Sequence, residues 1–449
     1  MSIKKSIGVN ELDKQNTSMK SISLIRKIDY LIFVLLFTLI LLYQLQIVLT
    51  WISVFKIREL LYLYLYLRII FFYRYRLSFN LICIYLFLLY CFFIAINTYF
   101  LYGSEMAVNG FIRFVFVALL APLASVLITD IKQVKVVMNI WLTVVLLGCV
   151  TAVYQFLGGD LSWLVDDYIA IRGGLIRFKT LLGEPNVGGM AAGILFTFAI
   201  LTYGSRVKKV IYFLASIILL ILSVSKAALA GFFLAIIMLS LNYIKNVFNN
   251  AVLSQKTLKS FIFMIAVLPI FFIITISTDL SVRVNISNYV NTSIDSFFGS
   301  DNNTDGPGIL TDISMRLIDR TNEGIEVAKE ESSYYPVNIL VGSSYGVAGS
   351  SAIEIRGRNK AFAPHNMFLE TYLVGGIILL ALFMTIIIKT LLTIVSLFRS
   401  DNYKKAILIA FILTIAYMPS YPIIYQPVLG AFFWLVIGIS SNRKLLMNS

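Results

Sequence analysis

Long apolar stretches separated by short polar segments dominate the chain from residue 29 onward. A helix needs roughly 20 apolar residues to cross a hydrocarbon core about 30 Å thick, and many of the stretches reach that length. Their apolar residues run continuously instead of alternating with polar ones, which favours helices over the strands of a membrane barrel. The pattern therefore predicts an all-α polytopic membrane protein with about twelve transmembrane helices.

The twelve predicted spans are not equally clear. Arg68 lies in the middle of the second, so that segment could instead lie in the membrane interface. The seventh and eighth are short and meet at "SVSKAAL" (223–229), so they could form a bent or re-entrant hairpin. In chain order, the predicted spans are 29–53, 57–73, 77–101, 107–129, 135–157, 186–204, 209–224, 226–244, 258–277, 366–389, 405–421 and 423–440.

Basic residues lie mainly in the short segments between alternate spans. If the N-terminus is cytoplasmic, most of the 37 Lys and Arg residues fall in inside segments. An excess of Lys and Arg in short loops marks the cytoplasmic side of a membrane protein, so we expect both termini to be cytoplasmic. The polar tails would then be residues 1–28 and 441–449. The net charge of +14 therefore reflects topology and does not indicate a nucleic-acid partner.

Two outside segments are longer than a turn requires. Residues 158–185 form the first, within a bundle over 29–277, and residues 278–364 form the second, before the last three spans at 365–440. In the second, "DISMRLIDRTNEGIEVAKEE" (312–331) predicts an amphipathic helix that packs on the membrane domain. Its apolar positions are Ile313, Leu317, Ile318, Ile325 and Ala328, and its polar face carries Arg316, Arg320 and Glu323.

Composition excludes several classes of protein. With 59% hydrophobic residues, 13% charged residues and a mean hydropathy of +0.87, the chain has too little polar surface for a water-soluble fold. Its three cysteines lie in predicted spans, which argues against a disulfide framework and a thiolate metal cluster. The sequence contains no phosphate-binding loop, nucleophile elbow or zinc-protease motif. We therefore expect a mechanism that uses neither a metal nor a cofactor.

His365 is the only histidine in the chain, and it lies where a polar stretch meets an apolar one, in "AFAPHNMFLE" (361–370). Pro364 precedes a predicted span, so His365 and Asn366 would occupy the first turn of that helix, where free N–H groups and the helix dipole attract anions. Glu370 lies one turn further in, and an ionisable group inside a span is a functional candidate. The alternative is a histidine that only reaches water from the membrane interface.

Several arginines fall on the predicted outside. Arginine stays charged and its planar guanidinium grips phosphate through two hydrogen bonds, so a group of them suits a pyrophosphate at the lipid surface. Solvated loop arginines are the alternative. The "IRGGLIRF" stretch supplies Arg172 and Arg177, and the long outside segment supplies Arg316, Arg320, Arg356 and Arg358. Lys226, at a tight external turn, and Arg113, just past a short external loop, are further candidates, although Lys226 could simply reach water from a span.

Five motifs in fixed order resemble the O-antigen polymerase and ligase superfamily. They cover residues 170–380, and the His-Asn-x-x-Leu-Glu stretch is the most specific of them. The motifs are "GEPNVGGMAAGILFTFAIL" after an external "RGG", "LSVSKAALAG", "SMRLIDRTNEGI", "NILVGSSYGV" and "PHNMFLETYLVGGI". One departure from the family pattern is that Lys226 follows Ser225 where an arginine is usual, which keeps the charge but loses the planar fork.

The resemblance implies a bacterial inner-membrane glycosyltransferase with a GT-C-like fold and a periplasmic active site. Its substrate would be an undecaprenyl-pyrophosphate-linked oligosaccharide in the lipid bilayer, and a chain-length regulator would be its partner. A polymerase, which joins repeat units, is the favoured member; a ligase acting on lipid A-core and a lipid-linked oligosaccharide flippase are the alternatives. The candidate catalytic residues are His365, Arg316 and Arg172, and the candidate substrate-binding residues are Arg177, Asn186, Lys226, Arg320, Asn366, Glu370 and Arg113.

Overall fold

The structure, a computed structural model, is mostly helical. It describes residues 24–43, 54–73, 77–161, 170–172, 175–177, 180–202, 205–223, 225–250, 335–345, 366–397 and 401–442, together with short runs between 322 and 333. The helices are α1 (24–41), α2 (Val54–Phe72), α3 (Phe79–Tyr102), α4 (Ser104–Val115), α5 (Leu120–Leu127), α6 (Ile131–Phe156), α7 (Pro185–Leu201), α8 (Arg206–Ser223), α9 (Lys226–Asn250), α10 (Asn338–Val341), α11 (Met367–Leu397), α12 (Asn402–Tyr417) and α13 (Pro427–Ser441).

Within the described residues, four helical segments are long and apolar enough to cross a membrane, which supports the prediction of a helical membrane protein. They are Phe79–Tyr102, Ser104–Leu127, Ile131–Phe156 and Met367–Val395. They coincide with the predicted spans at 77–101, 107–129, 135–157 and 366–389. Three shorter apolar helices occur at Pro185–Leu201, Ala227–Leu241 and Pro427–Ser441. The predicted span at 258–277 lies outside the described residues.

Two predicted spans differ from the expectation: the span at 107–129 is interrupted, and the span at 423–440 begins late. The span at 107–129 is interrupted at residues 116–119, ahead of Pro122, which has no N–H to bond the carbonyl of residue 118. Tyr62 and Tyr66 of α2 donate to the carbonyls of Phe116 (2.7 Å) and Leu119 (2.9 Å), at the two ends of this break.

The span predicted at 423–440 starts late. A 3-10 turn at Ile423–Tyr425 precedes α13, because Pro427 takes the first helical position and cannot continue a helix from the residues before it. The turn is held by Trp434, whose indole donates to the Ile424 carbonyl at 3.1 Å. Tyr425 is thereby placed at the end of the helix bundle rather than within a span.

Side-chain hydrogen bonds show which helix ends lie together. Asn80, near the start of α3, donates to Thr390 of α11 (3.1 Å) and to Ser441 at the end of α13 (3.0 Å). Asn442 donates to the Ile128 carbonyl, just past α5 (2.6 Å), and Tyr30 donates to the Gln133 carbonyl in α6. These contacts lie at one end of the bundle, called here the Asp29 end. The starts of α4 and α11 lie at the opposite end, the Glu370 end.

Helix α7 lies inside the bundle, and small residues allow its neighbours to approach closely. Nearly all of its side chains are buried, and the stretch "GGMAAG" offers a flat surface. A β-carbon on Gly189 would lie 2.7 Å from that of Ala228 in α9, and one on Gly193 would lie 2.6 Å from the Tyr417 hydroxyl of α12. Helix α7, which follows Glu184, therefore packs closely against α9 and α12.

Helix α11 is broken at Gly376, where the backbone has φ 64 and ψ −164. Such a positive φ is accessible to glycine without strain. The break frees two carbonyls of α11, at Leu373 and Val374, which accept hydrogen bonds from the backbone N–H groups of Ser343 (2.8 Å) and Ser344 (3.2 Å). The segment after α10, which belongs to the predicted long outside loop, is therefore fixed to α11.

The amphipathic segment of that loop is helical where it is described, but its packed face differs from the prediction. Residues 325–327 and 329–331 are helical. Val327 is 7% exposed and packs against Leu373 of α11, whereas Ile325 is 41% exposed. The choice of Ile325 for the packed face is therefore wrong, since Val327 is the residue of this stretch that contacts α11.

A short hairpin departs from the all-α expectation. Strands β1 (Ala170–Arg172) and β2 (Leu175–Arg177) pair antiparallel, with Ala170 opposite Arg177 and Arg172 opposite Leu175. Gly173 and Gly174 separate the two strands, and a two-residue glycine connection favours the tight turns that join antiparallel strands. The two arginines of "IRGGLIRF" therefore lie on adjacent strands.

Candidate functional site

The structure describes some of the predicted site residues and not others. The side chains of Arg113, Asn186, Asn366 and Glu370 are described. The backbones of Arg172 and Arg177 lie in the hairpin, and that of Lys226 begins α9. His365, Arg316, Arg320, Arg356 and Arg358 lie outside the described residues, so their predicted roles stay predictions.

Arg113 and Glu370 form an ion pair at the Glu370 end, which was not predicted from the sequence. The Arg113 Nη2 atom of α4 lies 3.1 Å from the Glu370 Oε1 atom of α11. The side chain of Glu370 is 3% exposed, whereas that of Arg113 is 45% exposed. A buried carboxylate without a cation would be strongly destabilising, so the pair fixes Arg113 in place. Nearly half of the Arg113 side chain remains exposed.

Tyr425 completes this pair. Its hydroxyl donates to the Glu370 Oε2 atom at 2.7 Å and accepts a hydrogen bond from Arg113. Its ring also lies under the Arg113 guanidinium, with 4.0 Å between the guanidinium carbon and the ring centre. Both carboxylate oxygens of Glu370 are therefore occupied, and Arg113 is held by charge, hydrogen bonding and stacking together.

Asn366 is the N-cap of α11. Its Oδ1 atom accepts hydrogen bonds from the backbone N–H groups of Phe368 (3.1 Å) and Leu369 (3.2 Å), as an N-cap side chain does. The N–H of Met367 donates to the Met418 carbonyl at 2.8 Å, which ties the start of α11 to the segment after α12. The predicted first-turn position of Asn366 is therefore corrected by one residue, and its Oδ1 atom has a structural role.

A second carboxylate lies at the same end. Glu184, the residue before α7 in "GEPN", is exposed, and its Oε2 atom accepts a hydrogen bond from the buried Tyr421 at 2.5 Å. Tyr421 and Tyr425 both belong to the connection 418–426 between α12 and α13. The sequence did not predict a role at the site for Glu184 or for either tyrosine. With 25 tyrosines in the chain, no local signal marks these two.

The connection 418–426 therefore organises the Glu370 end. It binds the start of α11 through Met418, the buried Glu370 through Tyr425 and the exposed Glu184 through Tyr421. Tyr421 is also close enough to Arg113 to interact with its charge. Two exposed charges, the cation Arg113 and the carboxylate Glu184, therefore lie at one end of a bundle of apolar helices. Arg113 can bind an anion, and Glu184 can accept a hydrogen bond from a hydroxyl group.

A different ion pair lies at the Asp29 end. Arg68 of α2 contacts Asp29 of α1 at 3.1 Å, and Tyr64 and Tyr73 also donate to that carboxylate. The mid-segment Arg68 that made the second span doubtful is therefore neutralised by a neighbouring helix. Helix α2 forms over Val54–Phe72 as predicted, but it is not among the four segments long and apolar enough to cross a membrane.

No protein-family model matches the chain, and no curated protein matches it. Among the residues that the structure describes, no three His, Cys, Asp or Glu side chains lie close enough to hold a metal ion together.

Proposed function

We propose that the protein is a glycosyltransferase of the bacterial inner membrane that acts on an undecaprenyl-pyrophosphate-linked glycan, most specifically an O-antigen polymerase. The proposal includes about twelve spans, a GT-C-like fold and a periplasmic site. The observation that carries it is the Arg113, Glu370 and Tyr425 group, which holds a guanidinium partly exposed at the start of an apolar helix. A donor whose lipid lies in the bilayer and whose charge lies at its surface fits that position.

In the proposed reaction, the donor glycan enters from the membrane and its pyrophosphate binds the guanidinium groups. Arg113 neutralises the negative charge that develops on the leaving oxygen, aided by Arg172, Arg177, Arg316 and Arg320 of the external segments. Glu370 and Tyr425 keep Arg113 oriented, so little reorganisation is needed when the bond breaks. Pyrophosphate is already a good leaving group, and the proposal therefore needs neither a nucleotide nor a metal.

His365 is proposed to act on the acceptor sugar. The next residue, Asn366, caps α11, and Glu370 follows in the first turn of that helix. A neutral imidazole can orient a hydroxyl or accept its proton. Asn186, two residues after Glu184, and Lys226, which follows Ser225, are proposed to contact the glycan.

The proposal is tested with purified protein, undecaprenyl-pyrophosphate-linked repeat units and a chelator. A polymerase should produce a ladder of glycans that grows in repeat-unit steps, with or without chelator, and His365→Ala should abolish the ladder. Glu105→Gln, which changes an exposed glutamate in the first turn of α4, is the matched control and should leave the ladder unchanged.

Two other outcomes of this experiment would assign a different function to the protein. Transfer to added lipid A-core with no ladder would make the protein a ligase. Movement of the lipid-linked glycan across a vesicle membrane without bond formation would make it a flippase and would contradict the proposed chemistry.

A further inference from the structure

We infer that Glu184 is a further catalytic residue, which binds the acceptor sugar hydroxyl and takes its proton as the glycosidic bond forms. The inference rests on the proposed transferase function and adds a residue to it. It also narrows the role of His365 to orienting the acceptor, since one group is sufficient to accept the proton.

The two carboxylates at the Glu370 end, Glu370 and Glu184, differ in whether a ligand can reach them. Glu370 is buried and accepts from Arg113 on one oxygen and from Tyr425 on the other. Glu184 is exposed, and Tyr421 is the one side chain that donates to it among the residues that the structure describes. A carboxylate has room for about four hydrogen bonds, and because Glu184 is exposed a ligand can donate to it, whereas burial keeps a ligand away from Glu370.

The backbone position of Glu184 also favours contact with a ligand. It is the N-cap residue of α7, yet its side chain makes no capping hydrogen bond to that helix. Pro185 fills the first helical position and has no N–H to satisfy. The carboxylate is directed to Tyr421 instead, which is buried and therefore holds it in one orientation. A fixed, exposed carboxylate is what a general base requires.

Arg113, the proposed cation, and Glu184, the proposed base, are both held by tyrosines of the connection 418–426. Tyr421 orients Glu184 and Tyr425 orients Arg113, and three residues separate the two tyrosines in the connection 418–426. The donor pyrophosphate on Arg113 and the acceptor hydroxyl on Glu184 would therefore be held by neighbouring parts of the same connection. Such an arrangement aligns two substrates and lowers the entropic cost of bringing them together.

The chemical step balances without any other reactant. The acceptor oxygen forms a bond to the anomeric carbon of the donor sugar, and its proton passes to the Glu184 carboxylate. The bond between the anomeric carbon and the pyrophosphate oxygen breaks, and its electron pair leaves with undecaprenyl pyrophosphate, whose charge Arg113 balances. The proton on Glu184 is then released to water.

The test compares Glu184→Ala, Glu184→Gln and the control Glu105→Ala in the ladder assay, with and without added formate. A general base contributes about 100-fold or more to the rate, so both Glu184 variants should lose about that factor, while Glu105→Ala should not. Formate can occupy the space left by the alanine variant and accept the proton. It should restore at least tenfold of the lost rate in Glu184→Ala and none in Glu184→Gln, where the amide still fills the space.

Binding of undecaprenyl pyrophosphate to each variant supplies the check on folding, since this inference leaves the Arg113 site intact. Unchanged binding with a lost and formate-rescued rate would support the inference. Unchanged binding with a wild-type rate, or a lost rate that formate does not restore, would overturn it and leave the proposed function standing. If the wild-type protein forms no glycosidic bond, the proposed function itself fails.

Discussion

The Asp29 end and the Glu370 end each contain a buried carboxylate paired with an arginine, and the two pairs differ in what the arginine can still reach. At the Asp29 end, Arg68 contacts the carboxylate through both Nε and Nη2, and its side chain is 15% exposed. At the Glu370 end, Arg113 makes its contact through Nη2, and its side chain is 45% exposed. Asp29 and Glu370 are almost equally buried.

Both pairs use tyrosines and an aromatic ring in addition to the charge. Tyr64 and Tyr73 donate to Asp29, and Arg68 stacks on Phe72 at 4.2 Å. Tyr425 alone supplies both the hydroxyl and the ring for Arg113. The first pair leaves little of the Arg68 side chain exposed, whereas the second, called here the open pair, fixes Arg113 and leaves nearly half of its side chain exposed. Only the open pair is suited to bind an anion from outside.

Arg113→Ala should have the largest effect on activity. Loss of one fixed donor to a developing negative charge costs about 100-fold to 1,000-fold in rate, so glycan transfer should fall by at least that factor. The ladder assay measures it. Arg206→Ala, which removes an exposed arginine at the start of α8, is the control with the same change of charge and should transfer glycan at the wild-type rate. A full rate in Arg113→Ala would show that the two ion pairs do not differ in function.

Asp29→Asn should have the largest effect on stability. The change keeps the size of the side chain but leaves Arg68 without its counter-charge, and breaking a buried pair costs about 3 to 5 kcal/mol of unfolding free energy. We therefore expect a clearly lower midpoint of thermal unfolding in detergent. The rate per folded molecule should match the wild type, because the pair lies at the opposite end from the proposed site. A lost rate with unchanged stability would assign the Asp29 end a part in the reaction.

Tyr425→Phe should have the smallest effect of the three. The variant keeps the ring under Arg113 and removes the hydroxyl that donates to Glu370, so a hydrogen bond to a charged group worth about 1.5 to 3 kcal/mol is lost. We expect a rate about tenfold lower, measured in the same assay. Tyr335→Phe, at an exposed tyrosine, is the control. If both variants keep the wild-type rate, Tyr425 does not orient Arg113 for the reaction.

The spans that the sequence predicted best are those whose apolar run is long and uninterrupted. The segments at 77–101 and 135–157 match α3 and α6, because hydropathy and length alone decide where such helices form. The break at 116–119 and the 3-10 turn at Ile423–Tyr425 depend on single prolines and on partners from other helices, Tyr62 and Trp434. A hydropathy profile contains no information about those contacts.

Individual residues of the site could be predicted from the sequence, but the contacts between them could not. Arg113 and Glu370 each attract attention as ionisable groups in apolar surroundings, but they lie far apart in the chain and nothing local pairs them. The two tyrosines of the connection 418–426 gave no signal, because their importance comes from where the connection packs. The resemblance supplied the order of motifs, whereas the contact between Arg113 of α4 and Glu370 of α11 is known only from the structure.

The most direct test of the account is the affinity of the purified protein for undecaprenyl pyrophosphate in lipid nanodiscs. Wild type, Arg113→Ala and Asp29→Asn should be compared under the same salt and lipid conditions. The account predicts that binding to Arg113→Ala is at least about tenfold weaker, since a charge-assisted contact is lost, and that binding to Asp29→Asn equals the wild type. Equal affinity in all three proteins would contradict the claim that the open ion pair binds the donor.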